Sequence, residues 1–159
     1  NFEIIALRGR QSRPNDDGRQ WYSLFPADWD EAKKEVEYLV ETLKEFGKQN
    51  ISLEKTILLG FSQGAAMALD AGFRLNLGMI ISCSGYAHPD WIPARDFRSS
   101  LLISHGLRDN VVPPAASKEI FDKVKARLSF NCKLYEFDGD HEIDPNFINL
   151  IRTKILEKF

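Results

Sequence analysis

The chain has 159 residues, 43% of them hydrophobic, which is enough for one sizeable core and too few for two comfortable domains. We therefore expect a single domain spanning residues 1–159. With 21 basic and 23 acidic residues the net charge is −2, which excludes a broad basic surface, so nucleic acid is not an expected partner.

The apolar runs and the cysteines indicate where the chain functions. No apolar run approaches the roughly 20 residues of a membrane-spanning helix, so no integral membrane segment is expected. Cys83 and Cys132 each lie inside an apolar run, which favours two buried thiols over a disulfide or a metal cluster. Buried free thiols indicate a reducing compartment, and we expect a cytoplasmic protein.

The first half of the chain predicts a strand, a loop and a long helix. The apolar run Phe2–Leu7 predicts a strand, and the polar, turn-rich segment 8–20 predicts an exposed loop. Asp28 followed by Glu31 has the form of a helix-capping pair. Apolar residues then recur at helical spacing as far as Gly47, which predicts an amphipathic helix.

The rest of the chain alternates between strands and helices. This alternation predicts an α/β fold with a mostly parallel sheet and helices on both faces. Ligands of such sheets bind at the carboxyl ends of the strands, which is where a site is expected. The predicted strands are 56–61, 79–83, 101–105 and 132–137, and the predicted helices are 63–75, 114–129 and a last one opened by Asp144 and Pro145.

A serine stands at the end of the first of these strands. Ser62 follows residues 56–61 directly and precedes a helix, with Gly60 and Gly64 two residues away on either side. In this context the pattern is typical of a nucleophile elbow, a turn so sharp that glycines are needed to avoid a Cβ collision. A serine hydroxyl needs a base to take its proton, normally a histidine oriented by a carboxylate.

Candidates for the base and its carboxylate follow later strands. Asp109 lies in the loop after the strand ending at His105, and His141 lies in the loop before the last helix. Ser62, Asp109 and His141 come in the chain order serine, acid, histidine that is typical of one hydrolase fold. The combination favours these three residues as a catalytic triad.

Each of these residues also has an ordinary structural interpretation. Asp109 alone would be a turn former or a helix cap, and His141 an exposed loop residue. Of the other two histidines, His88 stays an alternative base, and His105 is interpreted as structural because it closes a strand. Asp140, beside His141, stays an alternative carboxylate.

Several separate segments together carry a resemblance to a known family. With them the chain resembles the phospholipase/carboxylesterase family of α/β-hydrolases, which includes the acyl-protein thioesterases and small carboxylesterases. The resemblance implies Ser62 as nucleophile, Asp109 as orienting acid and His141 as general base, with no metal or organic cofactor. The segments are "LLGFSQGAAMAL", "SGY", "HGLRDNVVP", "DHEI" and "GRQWYSL".

The sequence also departs from the family pattern. Ala65 stands where the family usually has a second glycine, and Asp140 where a glycine usually precedes the histidine. The family carries a strand and a His-Gly loop ahead of the region seen here, and that loop supplies one oxyanion donor. Nothing of the kind precedes Phe2. We therefore expect an N-terminally incomplete α/β-hydrolase domain without its N-terminal strands, with the Gln63 backbone N–H as one donor and the second donor missing.

The leading hypothesis is a serine hydrolase that cleaves a small carboxylic ester or thioester through an acyl-enzyme. A carboxylesterase, an acyl-thioesterase and a lysophospholipase all fit it. Trp21, Tyr86, Trp91 and Ile92 are candidates for the apolar groove that holds the acyl group, although each is as easily a core residue. Two alternatives stay open: a non-catalytic α/β-hydrolase-like binding protein, and a plain α/β domain in which Ser62 is only a turn residue.

Overall fold

The computed structural model describes residues 3–14, 16–94, 97–127 and 131–159. A small antiparallel pair, β1 (Gln11–Ser12) and β2 (Arg19–Gln20), precedes helix α1 (Trp29–Lys48). The central sheet is parallel, and its strands follow one another in space in chain order. They are β3 (Ile57–Phe61), β4 (Met79–Cys83), β5 (Ser100–Gly106) and β6 (Cys132–Phe137), with helices α2 (Gln63–Gly72), α3 (Ala115–Arg127) and α4 (Pro145–Lys158).

Helices cover both faces of this sheet. Ile80 of β4 and Ile103 of β5 pack in one core cluster with residues of α2 and α3. Their neighbours Ile81 and Leu102 point the other way and pack against Phe147 of α4. Every residue of β4 and β5 is buried, as expected for strands covered on both faces. The predicted α/β class and parallel sheet are confirmed.

Helix α1 packs against α2, and its predicted cap is confirmed. Val36 and Leu39 of α1 form a core cluster with Met67 of α2. The Asp28 side chain accepts a hydrogen bond of 2.9 Å from the Glu31 N–H, which satisfies one of the amide groups left free at a helix start. The helix therefore begins where the capping pair predicted.

The predicted strand at Phe2–Leu7 is wrong for residues 3–7. These residues form no strand and are exposed, with Ile4 90% exposed. A strand needs a neighbour for its N–H and C=O groups, and residues 3–7 pair with no strand in the described part of the chain. Phe2 lies outside the described residues. The segment 8–20, predicted as a loop, contains the β1–β2 pair.

Two helix ends differ from the prediction. Helix α2 ends at Gly72 instead of Leu75, because the N–H groups of Arg74 and Leu75 bond three residues back, in tight turns. The predicted end of α3 at Ser129 lies outside the described residues. Among the described residues, no helix has both the length and the apolar character needed to cross a membrane.

Both cysteines are buried and free, as the sequence predicted. Burial raises the pKa of the Cys83 thiol and raises that of Cys132 to about 12. Both thiols therefore stay protonated near neutral pH, where a protonated thiol is a poor nucleophile.

We predict that Asp28→Ala lowers the free energy of unfolding by about 1 kcal/mol, because the Glu31 N–H at the start of α1 loses its acceptor. Asp28→Asn should retain most of the stability, since asparagine also caps helices. Exposed Lys34→Ala on the same helix is the control. Urea denaturation measures all three, and an equal loss in the alanine and asparagine variants would contradict a capping role.

Candidate active site

Ser62 occupies the sharp turn between β3 and α2. Its backbone has φ 53° and ψ −120°, a conformation that non-glycine residues avoid and that costs about 1–3 kcal/mol. The Ser62 N–H donates to the Cys83 carbonyl at 2.9 Å, which holds the turn against β4. The Ser62 side chain does not cap α2. This is the strained turn that the elbow pattern predicted. Its Ser62 hydroxyl is not used as a helix cap.

The two glycines of the elbow play different parts. A Cβ on Gly60 would lie 2.0 Å from the Gly64 carbonyl oxygen, so β3 and α2 approach closely enough to require glycine there. A Cβ on Gly64 would meet only Trp21 Nε1, at 4.0 Å. The predicted collision is confirmed for Gly60 and is absent at Gly64.

Asp109 lies in the loop after β5 and is 6% exposed. Its Oδ1 accepts hydrogen bonds from the N–H groups of Val111 and Val112, at 2.9 and 2.8 Å. Its Oδ2 lies 2.7 Å from His141 Nδ1. The carboxylate is thus fixed by its own loop on one side and faces the histidine with its other oxygen.

Two opposing effects act on the pKa of Asp109. Burial raises this pKa, whereas the hydrogen bonds from His141 and from the Val112 and Val111 N–H groups lower it. The hydrogen bonds outweigh burial, and the pKa of Asp109 lies below its ordinary value of 3.8. Asp109 is therefore a carboxylate at neutral pH.

Backbone contacts hold the acid loop and the histidine loop together. The N–H of Leu107 donates to the Phe137 carbonyl at 2.8 Å, and that of Arg108 to the Gly139 carbonyl at 2.9 Å. A Cβ on Gly106 would lie 2.2 Å from the Asp140 carbonyl oxygen, so glycine is needed at the end of β5 for this approach. The Asp109–His141 bond rests on this backbone scaffold.

His141 also reaches the serine turn. Its ring lies 4.7 Å from that of Phe61, the residue that directly precedes Ser62. Ser84, after β4, contributes a hydrogen bond of 3.4 Å from its hydroxyl to the Glu142 carbonyl. The hydrogen bonds of the described residues do not include one between the Ser62 hydroxyl and His141. The structure thus brings the three predicted residues to one edge of the sheet, with the Asp109–His141 pair bonded.

The residues weighed as alternatives have other partners. His105 is fully buried, with its ring nitrogens 2.5 Å from the Ser117 hydroxyl and 2.8 Å from the Val112 carbonyl oxygen. Its Nε2 also lies 3.2 Å from Asp109 Oδ2, so this structural histidine supports the acid loop. His88 lies away from this pair, bonded to Asp70 and Tyr22. The Asp140 side chain is 71% exposed.

The structure gives Gln63 a part that the sequence did not predict. Its side-chain oxygen accepts a hydrogen bond of 2.9 Å from the Trp21 N–H, and its side-chain nitrogen donates to the Tyr22 carbonyl at 2.8 Å. Gln63 is the first residue of α2, so its backbone N–H has no acceptor within the helix. In the sequence, this role could be suspected only from the glutamine that directly follows Ser62. That glutamine does not predict a hydrogen-bond partner about 40 residues earlier in the chain.

The predicted substrate-binding residues separate into two groups. Trp21 lies at the serine turn, where its N–H bonds to the Gln63 side chain, and Tyr86, on the loop after β4, lies with its hydroxyl 2.5 Å from that of Tyr22. Trp91 is a core residue that packs edge-on against Phe73, and Ile92 is exposed. Both line a cavity of about 430 Å³ whose walls include neither Ser62, Asp109 nor His141. The structure therefore does not bring Trp91 and Ile92 to the candidate site.

The described residues contain no group of three or more histidine, cysteine, aspartate or glutamate side chains arranged to hold a metal ion.

Comparison with known proteins assigns the chain to a family. Residues 1–158 match the family model described as Phospholipase/Carboxylesterase. The chain belongs to this family. It is 32% identical to "Acyl-protein thioesterase 1 homolog 1" of Dictyostelium discoideum, with 99% of the chain and 73% of that protein covered. It is 26% identical to "Acyl-protein thioesterase 1" of Eremothecium gossypii, with 84% of the chain and 60% of that protein covered.

A solved structure of an esterase has the same fold as this chain. The crystal structure of esterase PE8 superposes with a TM-score of 0.81 at 25% sequence identity. The alignment covers 96% of this chain and 76% of the esterase. The α/β-hydrolase fold that the resemblance implied is confirmed.

We predict that Gly60→Ala destabilises the protein by about 3 kcal/mol or more, because the new Cβ meets the Gly64 carbonyl, which cannot swing away as a side chain could. Gly64→Ala is the matched control. It should leave stability unchanged or raise it by less than about 1 kcal/mol, since alanine favours the helix. Thermal unfolding of both variants measures the difference, and equal losses would contradict this account of the elbow.

We also predict that Asp109 makes the protein acid-sensitive. Because the folded-state pKa of Asp109 is lowered, its ionised form stabilises the fold fully above the ordinary value of 3.8, and this contribution is lost as pH falls through the lowered value. Asp109→Asn should therefore show a shallower loss of Tm than the wild type between about pH 5 and about pH 2. Asp122→Asn on the exposed face of α3 should follow the wild-type curve, and parallel curves for all three would refute the prediction.

Proposed function

We propose that the chain is a serine hydrolase that cleaves carboxylic esters or thioesters through an acyl-enzyme on Ser62. His141 acts as general base and Asp109 as the acid that orients it. The observation that carries this proposal is the 2.7 Å bond between Asp109 and His141, placed at the edge of the sheet where Ser62 holds its strained turn.

The Asp109 carboxylate selects the useful form of His141. A carboxylate can only accept, so His141 carries its proton on Nδ1 and donates a hydrogen bond from this nitrogen to Asp109. Its Nε2 then has a free lone pair, which is the group that takes the proton of the attacking serine. The resulting imidazolium is stabilised by the same carboxylate, which stays ionised because its pKa is lowered. Serine–base hydrogen bonds are often long without substrate and tighten when substrate binds.

The N-terminus of α2 supports the developing negative charge. When Ser62 attacks, the carbonyl oxygen becomes an oxyanion that needs hydrogen-bond donors. The Gln63 N–H is the first free amide of α2, and the positive end of the helix dipole lies at the same point. Water then releases the acid from the acyl-enzyme, with His141 again as base.

Exposed apolar side chains beside the triad offer a surface for the acyl group. Leu107 and Val111 flank Asp109 in the acid loop and are 54% and 63% exposed, and Phe61 packs on the His141 ring. Trp21, whose N–H bonds to the Gln63 side chain, and Tyr86 stay candidates for the same surface. An acyl chain lying on them would bury surface that water now contacts.

The names of the relatives support an ester or a thioester as the substrate. They carry the names acyl-protein thioesterase and esterase, which describe hydrolysis of a thioester and an ester. One triad serves both bonds, because each has a carbonyl carbon that a serine attacks and a leaving group that accepts a proton.

A fluorophosphonate probe tests the proposal. We predict that the probe labels Ser62, as mapped by mass spectrometry, and that the chain hydrolyses p-nitrophenyl butyrate. Ser62→Ala should abolish both activities, whereas exposed Ser52→Ala should retain them. Asp109→Asn should lower kcat by about 10³- to 10⁴-fold, because His141 then loses the partner that fixes its protonated nitrogen.

Absence of labelling and of hydrolysis in the folded wild-type chain would overturn the proposal. It would instead support a non-catalytic α/β-hydrolase-like binding protein. Labelling that survives Ser62→Ala would place the nucleophile elsewhere.

A further inference from the structure

Four polar side chains beside α1 and α2 form a continuous hydrogen-bonded chain. Asp70 Oδ2 lies 2.9 Å from His88 Nδ1, and His88 Nε2 lies 2.9 Å from the Tyr22 hydroxyl. The Tyr22 hydroxyl lies 2.5 Å from that of Tyr86. Tyr22 is fully buried and His88 is 7% exposed. The proposed reaction gives none of the first three residues a part.

The chain of bonds has a consistent direction. The Asp70 carboxylate can only accept, so His88 donates from Nδ1, which leaves Nε2 as the nitrogen that accepts. Tyr22 then donates its hydroxyl to His88 and accepts from Tyr86. Burial raises the pKa of both tyrosines, which keeps both hydroxyls protonated and able to donate. Each group in the chain is thus satisfied by the next.

The far end of the chain is anchored on two helices. Arg74 donates to Asp70 at 3.2 Å, and it also pairs with Glu37 of α1. The ring of Trp29, the first residue of α1, lies 5.9 Å from that of Tyr22 and 6.1 Å from that of His88. Tyr22 therefore has little freedom to move.

The backbone at Tyr22 connects this chain to Gln63, the residue that carries the candidate oxyanion donor. The Gln63 side chain bonds twice to backbone, accepting from the Trp21 N–H and donating to the Tyr22 carbonyl. Gly64 follows, and a Cβ there would meet only Trp21 Nε1, at 4.0 Å. These two bonds tie the first residue of α2 to the backbone of Trp21 and Tyr22, in addition to the contacts that the turn makes with the sheet.

We propose that Asp70, His88 and Tyr22 are positioning residues for the hydrolysis. They hold the backbone of Trp21 and Tyr22 in place, and this backbone holds Gln63 so that its N–H faces the reacting carbonyl oxygen. The assignment rests on the proposed function, because it concerns the oxyanion donor of that same site. It predicts an effect on kcat, since an oxyanion forms only during the reaction.

Three substitutions break the hydrogen-bonded chain to different extents. Tyr22→Phe removes only the hydroxyl between His88 and Tyr86. His88→Phe removes both ring nitrogens, whereas His88→Gln keeps an amide group near Nε2 that can still bond to Tyr22. Tyr38→Phe is the matched control, because Tyr38 is 43% exposed on α1 and lies outside the chain.

The variants are compared per active site, with the active fraction counted by the fluorophosphonate probe. Tyr22→Phe and His88→Phe should lower kcat for p-nitrophenyl butyrate by about ten- to a hundredfold, with KM changed by less than about twofold. His88→Gln should recover most of this loss, and Tyr38→Phe should match the wild type. A purely structural role would lower the active fraction and leave kcat per active site unchanged.

Amide hydrogen exchange gives a readout that needs no catalysis. Exchange of the Trp21 N–H should speed up by about tenfold or more in Tyr22→Phe and His88→Phe, while the amides of β4 stay protected. Wild-type kcat per active site together with wild-type Trp21 exchange would overturn the proposal. If the wild type neither labels nor hydrolyses, the proposed function fails. The proposed positioning of Gln63 is then tested by the exchange of the Trp21 N–H alone, and an unchanged exchange rate overturns it.

Discussion

The parallel register of four strands is the constraint on which the candidate site depends. In the sheet Phe61 pairs with Cys83, Cys83 with Ser104, and Gly106 with Phe137, so that β3 to β6 end at one edge. Each loop that leaves this edge begins close to the others, although their residues are far apart in the chain. The backbone bonds between the loops after β5 and β6 then reduce the separation to hydrogen-bonding distance. The Asp109–His141 bond follows from these arrangements.

The site is built from buried polar groups, each of which has hydrogen-bond partners in the fold. Burial of a carboxylate is costly, and for Asp109 it acts to raise the pKa. Hydrogen bonds to both carboxylate oxygens reverse the balance, and two of them come from the backbone of its own loop. The fully buried His105 adds a further contact, from its Nε2 to Asp109 Oδ2. The acid is therefore fixed and charged before any ligand arrives, which is what an orienting group requires.

The serine turn is held from two sides. Toward the sheet, the Ser62 N–H bonds to β4 and Gly60 permits the close approach of α2. Toward α1, the Gln63 side chain bonds to the backbone of Trp21 and Tyr22. A backbone conformation with positive φ persists only where its surroundings over-determine it, and these contacts supply that restraint. The strain at Ser62 and the bonds of Gln63 are thus parts of one local structure.

By itself the sequence determined the elements with strong periodicity and the residues with strong local chemistry. Asp28 and Glu31 marked the start of α1, and alternating strands and helices predicted the parallel sheet. Ser62, Asp109 and His141 could be chosen because each follows a predicted strand in an order typical of one hydrolase fold. Local pattern suffices in these cases, because capping bonds, turn strain and side-chain period are short-range properties.

Only the tertiary structure decided what depends on distant partners. Residues 3–7 are apolar enough for a strand, yet they find no partner strand in the described part of the chain. Trp91 is of a residue type that is common in binding sites, but it packs on Phe73 in the core. The Asp70–His88–Tyr22 chain joins segments up to 66 residues apart, so no local pattern predicts it. Hydrogen bonds and burial between remote segments are set by packing, and packing is not visible in any short window of sequence.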